Sequence, residues 1–322
     1  MLIGVATLAN AILTILTPIA SRLGVEFLIA IRVLEGCFQG VIFPSLNKLI
    51  TRWFTTEERS KFTGIIFSGM DFGCVLAFSI SGYLCKSEFL GGWPSVFYIF
   101  GFTSVIWSFF WFSLIRDEPR KHPRISKEEL NYILDGTPNT EQKIPVPWSS
   151  ILCSKYLWAT VIAHTGQNFG YFILLSELPT YFANILHIPI NNNGLLTAIP
   201  YLATWVFSVI YSIAVDKAIT SGFLTILSVR RLSIAISGYG FMLCLIGMCF
   251  VNCNISGAFA VLLVSGTLTG AIYCGLFSSY SDLSPKFAGT LTGLGTAFGG
   301  IAGFIGPAVT GMVTEGNFNL NI

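Results

Sequence analysis

Residues 40–64 read GVIFPSLNKLITRWFTTEERSKFTG and residues 270–289 read GAIYCGLFSSYSDLSPKFAG. Each stretch opens near the end of a long apolar run on a glycine, two apolar residues and an aromatic: Gly40 to Phe43, and Gly270 to Tyr273. Each closes on Lys-Phe-Thr-Gly or Lys-Phe-Ala-Gly where the next run begins, at Lys61 to Gly64 and at Lys286 to Gly289. The paired stretches lie six apolar runs apart. Taken as a repeat, they imply a period of six helices. Two parallel six-helix repeats make a transporter architecture with a substrate site near mid-membrane, between the halves.

Composition supports membrane helices. Of the 322 residues 53% are hydrophobic and 11% charged, against about 25% charge in a soluble domain. A net charge of +2 makes no case for nucleic-acid binding. The cysteines do not read as a disulfide scaffold, because Cys37, Cys74, Cys153, Cys244, Cys249 and Cys274 lie in or beside apolar runs. A bilayer core needs about 20 apolar residues per helix, and nine stretches qualify: 1–20, 27–50, 62–85, 95–115, 156–183, 195–215, 232–251, 258–277 and 289–313. The first has no basic segment before it, so it reads as a span and not a signal peptide.

With residue 1 in the cytoplasm, 15 of the 18 cations fall in cytoplasmic loops, two (Arg22 and Lys86) outside, and Arg32 within a span. That asymmetry is the positive-inside pattern. The expected organisation is a four-span bundle over 1–115, a cytoplasmic linker over 116–155 and a five-span bundle over 156–322. In the linker, Ser126 and Glu129 predict a capping box and a short surface helix ending at Asp135-Gly136.

Ionisable groups inside spans are costly and are functional candidates by default. Arg32 and Glu35 are three apart and share a helix face, with Glu35 roughly 12 Å in from the outer end. Gln39 extends that face. An Arg there attracts an anion and the adjacent Glu neutralises it or takes up a proton; a static ion pair is the alternative reading. Asp71, mid-span between Gly69 and Gly73, is a second protonatable group or a structural partner for Arg32. His164, Gln167 and Asn168 form a polar stripe in the fifth span, with His164 a proton relay or a hydrogen-bonded packing residue. Asp216-Lys217 and Arg230-Arg231, bracketing the loop after the sixth span, are expected to form a surface charge cluster that latches one helix bundle to another. The last span's glycines suit close helix packing. No metal-ligand cluster and no catalytic cluster appears, so an enzyme is a distant alternative.

The chain resembles the anion-symporter branch of the major facilitator superfamily: sialin, the vesicular glutamate transporters and the type I sodium–phosphate cotransporters. Among them it is most similar to the insect inorganic phosphate cotransporters. The likeness rests on Arg32-Val-Leu-Glu35-Gly36 through Gln39-Gly40 to Phe43-Pro44, Trp53 with Glu58-Arg59-Ser60, Gly92-Trp93-Pro94, Ala163-His164, Gln167-Asn168, Glu177-Leu178-Pro179-Thr180-Tyr181, Asn193-Gly194, Pro200-Tyr201-Leu202 and Asp282-Leu283-Ser284-Pro285. The resemblance implies an all-α membrane fold of twelve helices, of which this chain carries about nine, its first span aligning with the family's third helix.

The same resemblance implies anion binding and cation coupling at Arg32 and Glu35. Gln39 and Gln167 stand where the sialic-acid or glutamate branches have a Glu or an Arg, which favours a phosphate-type branch. Asp71 stands where the family usually has an uncharged polar residue. The expected function is a secondary symporter of inorganic phosphate or a small organic anion. It needs no cofactor beyond co-transported Na⁺ or H⁺ and works as a monomer in the plasma membrane or a lysosomal or vesicular membrane. Arg32, Gln39, Gln167 and Asn168 would bind substrate, and Glu35, Asp71 and His164 would couple the cation. The alternative is a non-transporting isoform, three helices short, that associates with a full-length relative.

Overall fold

A computed structural model describes residues 1–87, 89–137, 145–184, 190–251 and 254–314. Lys143 and the side chains of Tyr181 and Asn193 lie outside the described residues. Every regular element among the described residues is helical: α1 (Leu2–Leu23), α2 (Val25–Gln39), α3 (Ile42–Trp53), α4 (Arg59–Lys86), α5 (Pro94–Leu114), α6 (Lys127–Gly136), α7 (Trp148–Leu152), α8 (Lys155–Asn184), α9 (Ile190–Thr220), α10 (Ile226–Val251), α11 (Ile255–Thr269), a π-helical turn (Tyr273–Phe277), α12 (Ser278–Leu283) and α13 (Ala288–Thr314). Eight spans among the described residues are long and apolar enough to cross a membrane. The expected fifth span, 156–183, folds as the 30-residue α8 and is long enough. It falls outside the eight because His164, Gln167 and Asn168 dilute its apolar centre.

The second and eighth expected spans are each broken, and at the same place in the repeat. Backbone turns interrupt them at Gly40-Val41 and at Gly270-Ala271, with Gly40 at φ −57°, ψ −23° and Gly270 at φ −58°, ψ −20°. The causes differ. Pro44 has no N–H to give the Gly40 carbonyl, and its ring crowds that oxygen, so the helix restarts as α3. At the second break, Thr204 and Ser208 of α9 donate their hydroxyls to the carbonyls of Gly266 and Gly270 at 2.8 and 3.0 Å. Thr269 adds its own hydroxyl to the Gly266 carbonyl at 2.6 Å, so side-chain donors serve the backbone oxygens where the ladder is interrupted.

Small residues sit where helices approach most closely. α4 packs along α9, and a Cβ on Gly64 would collide with Ser212 of α9 and with Cys274. α13 packs on α8 and α3: Gly303 lies under Phe172, while Gly289 and Gly293 lie against Pro44. α1 packs on α5 through Gly4 against Trp111 and Phe112, and Gly101 against Ile15. The main core gathers Ile50, Phe67, Leu157, Leu276, Phe277 and Leu291 around Tyr273 and Tyr280. Large apolar side chains such as Phe102, Phe109, Phe110 and Phe304 point outward, as a lipid-facing surface requires. Ser126 caps α6 as its spacing predicts, its Oγ accepting the Glu129 N–H at 3.1 Å. α6 is docked, with Ile133 buried and the Gly136 carbonyl accepting the Thr56 N–H at 3.2 Å.

Candidate functional site

Arg32 and Glu35 face one another on α2, with Arg32 Nη1 2.7 Å from Glu35 Oε2. The Glu35 carboxylate is buried and also accepts the Thr14 hydroxyl of α1 at 3.0 Å. The Arg32 side chain stays half exposed, and its guanidinium lies 5.6 Å from the centre of the Phe97 ring. Gln39 is exposed one turn further along, where α2 ends at the Gly40 break. Arg32 thus has one carboxylate partner and open access, while Glu35 has two donors and almost none.

The other predicted polar residues belong to a separate cluster, organised by the π-helical turn. Tyr273, Phe277 and Tyr280 fall four and three residues apart and line one face of that stretch. The Tyr273 hydroxyl donates to Asp71 Oδ2 at 2.8 Å, and the Tyr280 hydroxyl lies 3.0 Å from His164 Nδ1. Between them the Phe277 ring stacks on Phe67 at 4.5 Å and meets His164 edge-on at 5.2 Å. Asp71, His164 and both tyrosines are buried. Gln167 and Asn168 are half-buried on the next turn of α8, with Asn168 packed over Gly299 of α13. Beside Asp71 a cavity of about 30 Å³ reaches Tyr171, Tyr201 and Thr204, enough for a water molecule. Among the described residues, the Tyr201 hydroxyl buried there has no hydrogen-bond partner.

Asp71 is therefore the partner of Tyr273 and not of Arg32, which pairs within its own helix. Tyr273 and Tyr280 were missed as site residues; their four-and-three spacing with Phe277 was the available signal, but it names a face and not the helices opposite it. Nearer the cation-rich side, Arg230 of α10 reaches across elements: Nε to Asp282 at 2.7 Å, Nη1 to the Cys274 carbonyl at 2.6 Å and Nη2 to Ser60 Oγ at 2.8 Å. Asp216 lies 3.8 Å from Lys61, and Asn47 of α3 joins Ser281 and Thr292 at 2.7 and 2.6 Å. The expected surface cluster is corrected: Arg230 is buried and Asp216 pairs separately with Lys61, so each ties helices together through partners the sequence did not name, while Lys217 and Arg231 stay exposed.

Matching breaks at Gly40 and Gly270, six expected spans apart, and charged residues buried inside spans suit a transporter fold. The sequence model of the Major Facilitator Superfamily matches residues 1–307. The chain belongs to that superfamily. It is 38% identical to sialin of Homo sapiens, covering 98% of this chain and 64% of that protein. It is 34% identical to a Drosophila melanogaster protein named for inorganic phosphate cotransport, covering 96% of this chain and 59% of that one. The chain thus spans about three fifths of the length of these relatives. Its fold matches a bacterial homolog of the human lysosomal transporter Spinster in an inward-facing, unoccupied conformation, with TM-score 0.65, 16% identity, and coverage of 98% of this chain and 68% of that one. Members of the superfamily are multi-pass membrane transporters, not enzymes.

Proposed function

We propose that the protein serves secondary active transport of inorganic phosphate or a small organic anion, driven by Na⁺ or H⁺. The observation that carries this reading is the unequal exposure of the Arg32–Glu35 pair. An incoming anion reaches the open guanidinium and competes with Glu35 for it. Glu35, released inside an apolar helix bundle, is left without its counter-charge, and an unpaired buried carboxylate is costly until it takes a cation. Anion entry and cation uptake are linked by that exchange of partners. Gln39 on the same face supplies an amide to the anion, and Gln167 and Asn168 line its path. His164 and Asp71, each held by one tyrosine hydroxyl, serve cation coupling deeper in the bundle. The relative named for inorganic phosphate cotransport supports an anionic substrate.

The Arg230 and Asn47 networks tie α3 and α4 to α10, α12 and α13, so opening the cation-rich side requires breaking them. Uptake into proteoliposomes tests the reading, comparing phosphate with sialate under a sodium gradient and under a pH gradient. Arg32→Ala is expected to abolish uptake of the transported anion and Arg32→Lys to leave a small residue, because a point charge replaces a two-pronged donor. Uptake unchanged in Arg32→Ala would overturn the site.

A further inference from the structure

The cavity beside Asp71 lies inside the bundle, among α4, α8, α9 and α11. Four oxygen-bearing side chains meet there: Asp71 from α4, Tyr201 and Thr204 from α9, and Thr269 from the last turn of α11, directly before the Gly270 break. Asp71 is 1% exposed and Tyr201 6%, so bulk water serves neither. Tyr171, on the α8 wall, meets the Cys74 thiol at 3.7 Å.

A hydroxyl has one hydrogen to give and two lone pairs to offer. Thr204 directs its hydrogen to the carbonyls of Pro200 and Gly266, at 2.8 Å each, and Thr269 directs its own to Gly266 at 2.6 Å. Both hydroxyls therefore turn lone pairs, not hydrogens, to any guest. The Tyr201 hydroxyl has no hydrogen-bond partner among the described residues. Asp71 accepts the Tyr273 hydroxyl on Oδ2 at 2.8 Å. Among the described residues, nothing donates to Oδ1 and no cation pairs with this carboxylate.

A buried carboxylate without a counter-charge is costly. Around it stand oxygens with lone pairs to offer, and the carboxyl end of α11 adds partial negative charge. Such a lining repels an anion and suits a cation that takes oxygen ligands. Size and charge narrow the choice. A volume of about 30 Å³ admits one water-sized body, so an ion enters without its hydration shell, and a single carboxylate balances one positive charge, not two. K⁺ needs a wider cage, and a proton on Asp71 needs none of the hydroxyls. We propose that this cavity binds one dehydrated Na⁺, held by Asp71 Oδ1 and by the hydroxyl oxygens of Tyr201, Thr204 and Thr269. Its part in transport rests on the assignment of Asp71 to cation coupling, and the cavity names the cation.

Equilibrium binding of radiolabelled Na⁺ to the purified chain in detergent, with choline as the replacing cation at constant ionic strength, tests the assignment. One Na⁺ is expected per chain, displaced by unlabelled Na⁺ and not by the same concentration of K⁺. Asp71→Asn should abolish binding, and Tyr201→Phe should weaken it about tenfold. Because Tyr201→Phe removes a buried hydroxyl that lacks a protein partner, its melting temperature in choline should equal or exceed the parent's. That comparison separates a lost ligand from a lost fold. Tyr211→Phe, whose parent hydroxyl meets Ser233 of α10 away from the cavity, should bind Na⁺ as the parent does. No bound Na⁺ in the parent, displacement by K⁺ as effective as by Na⁺, or parental affinity in Tyr201→Phe would each overturn the proposal. The readout uses neither an anion nor a gradient, so the site and the coupling role fail separately. Binding lost in Asp71→Asn with anion accumulation undiminished would support the site and overturn the coupling role.

Discussion

Asp71 and His164 each rest on a single tyrosine hydroxyl inside the bundle, so the chemistry of either can be altered without moving a helix. Tyr273→Phe keeps the ring packed on Phe277 but leaves Asp71 without its donor. Loss of a buried hydrogen bond costs about 1–3 kcal/mol, and the melting temperature in detergent should fall accordingly. Asp71→Asn keeps the size and an acceptor for Tyr273 while removing the carboxylate. If Asp71 couples the cation, this variant should lose gradient-driven accumulation yet still exchange labelled anion across the membrane. Accumulation at the parental level would remove Asp71 from the coupling path. Arg32 and Glu35 were legible as a pair because three residues bring side chains onto one helix face. The tyrosines were not, because Tyr273 and Asp71 are separated by 202 residues and Tyr280 and His164 by 116. Periodicity describes one helix's faces and says nothing of the helix opposite.

Within single elements, the glycines separate into those that make room and those that do not. On α4, a Cβ at Gly64 meets Ser212 and Cys274, whereas one at Gly69 or Gly73 meets nothing within 4 Å. Gly64→Ala should therefore destabilise the chain by about 1–3 kcal/mol through overpacking, while Gly73→Ala should be neutral or gain up to about 1 kcal/mol from helix propensity. Thermal unfolding of the two purified variants, side by side, checks both signs. On α13, Gly295 lies beneath the Tyr280 hydroxyl and Gly299 beneath Asn168 and His164, so the glycine stripe is shaped to the polar cluster as well as to its neighbouring helices. The breaks at Gly40 and Gly270 belong to the same scale. Neither was expected, since 27–50 and 258–277 read as unbroken spans; Pro44 accounts for the first, because proline cannot continue the hydrogen-bond ladder. The second is held by Thr204 and Ser208 of another helix, which the local sequence does not name.

Across the whole molecule, Arg230 joins α10 to α4 and α12 through three hydrogen bonds, the longest in sequence reaching Ser60, 170 residues away. Cys274, whose carbonyl Arg230 holds, is buried and free, which makes its thiol a reporter of that junction. In a chain whose other cysteines are serine, Arg230→Gln should speed maleimide labelling of Cys274 from the cation-rich side. Labelling at the parental rate would show that other contacts keep this side closed. The sequence by itself determined that the chain lies in a bilayer, where its spans fall, which loops carry the positive charge, and that two stretches six helices apart are built alike. These follow from local composition and period, which each segment carries alone. Only the tertiary structure decided that the ionisable residues divide into two clusters, that Asp71 belongs with Tyr273, and that Arg230 closes on Ser60 and Asp282. Those pairings depend on which helix faces which, set by the fit of glycines under side chains and by the cost of leaving a polar group unpaired where water cannot reach it.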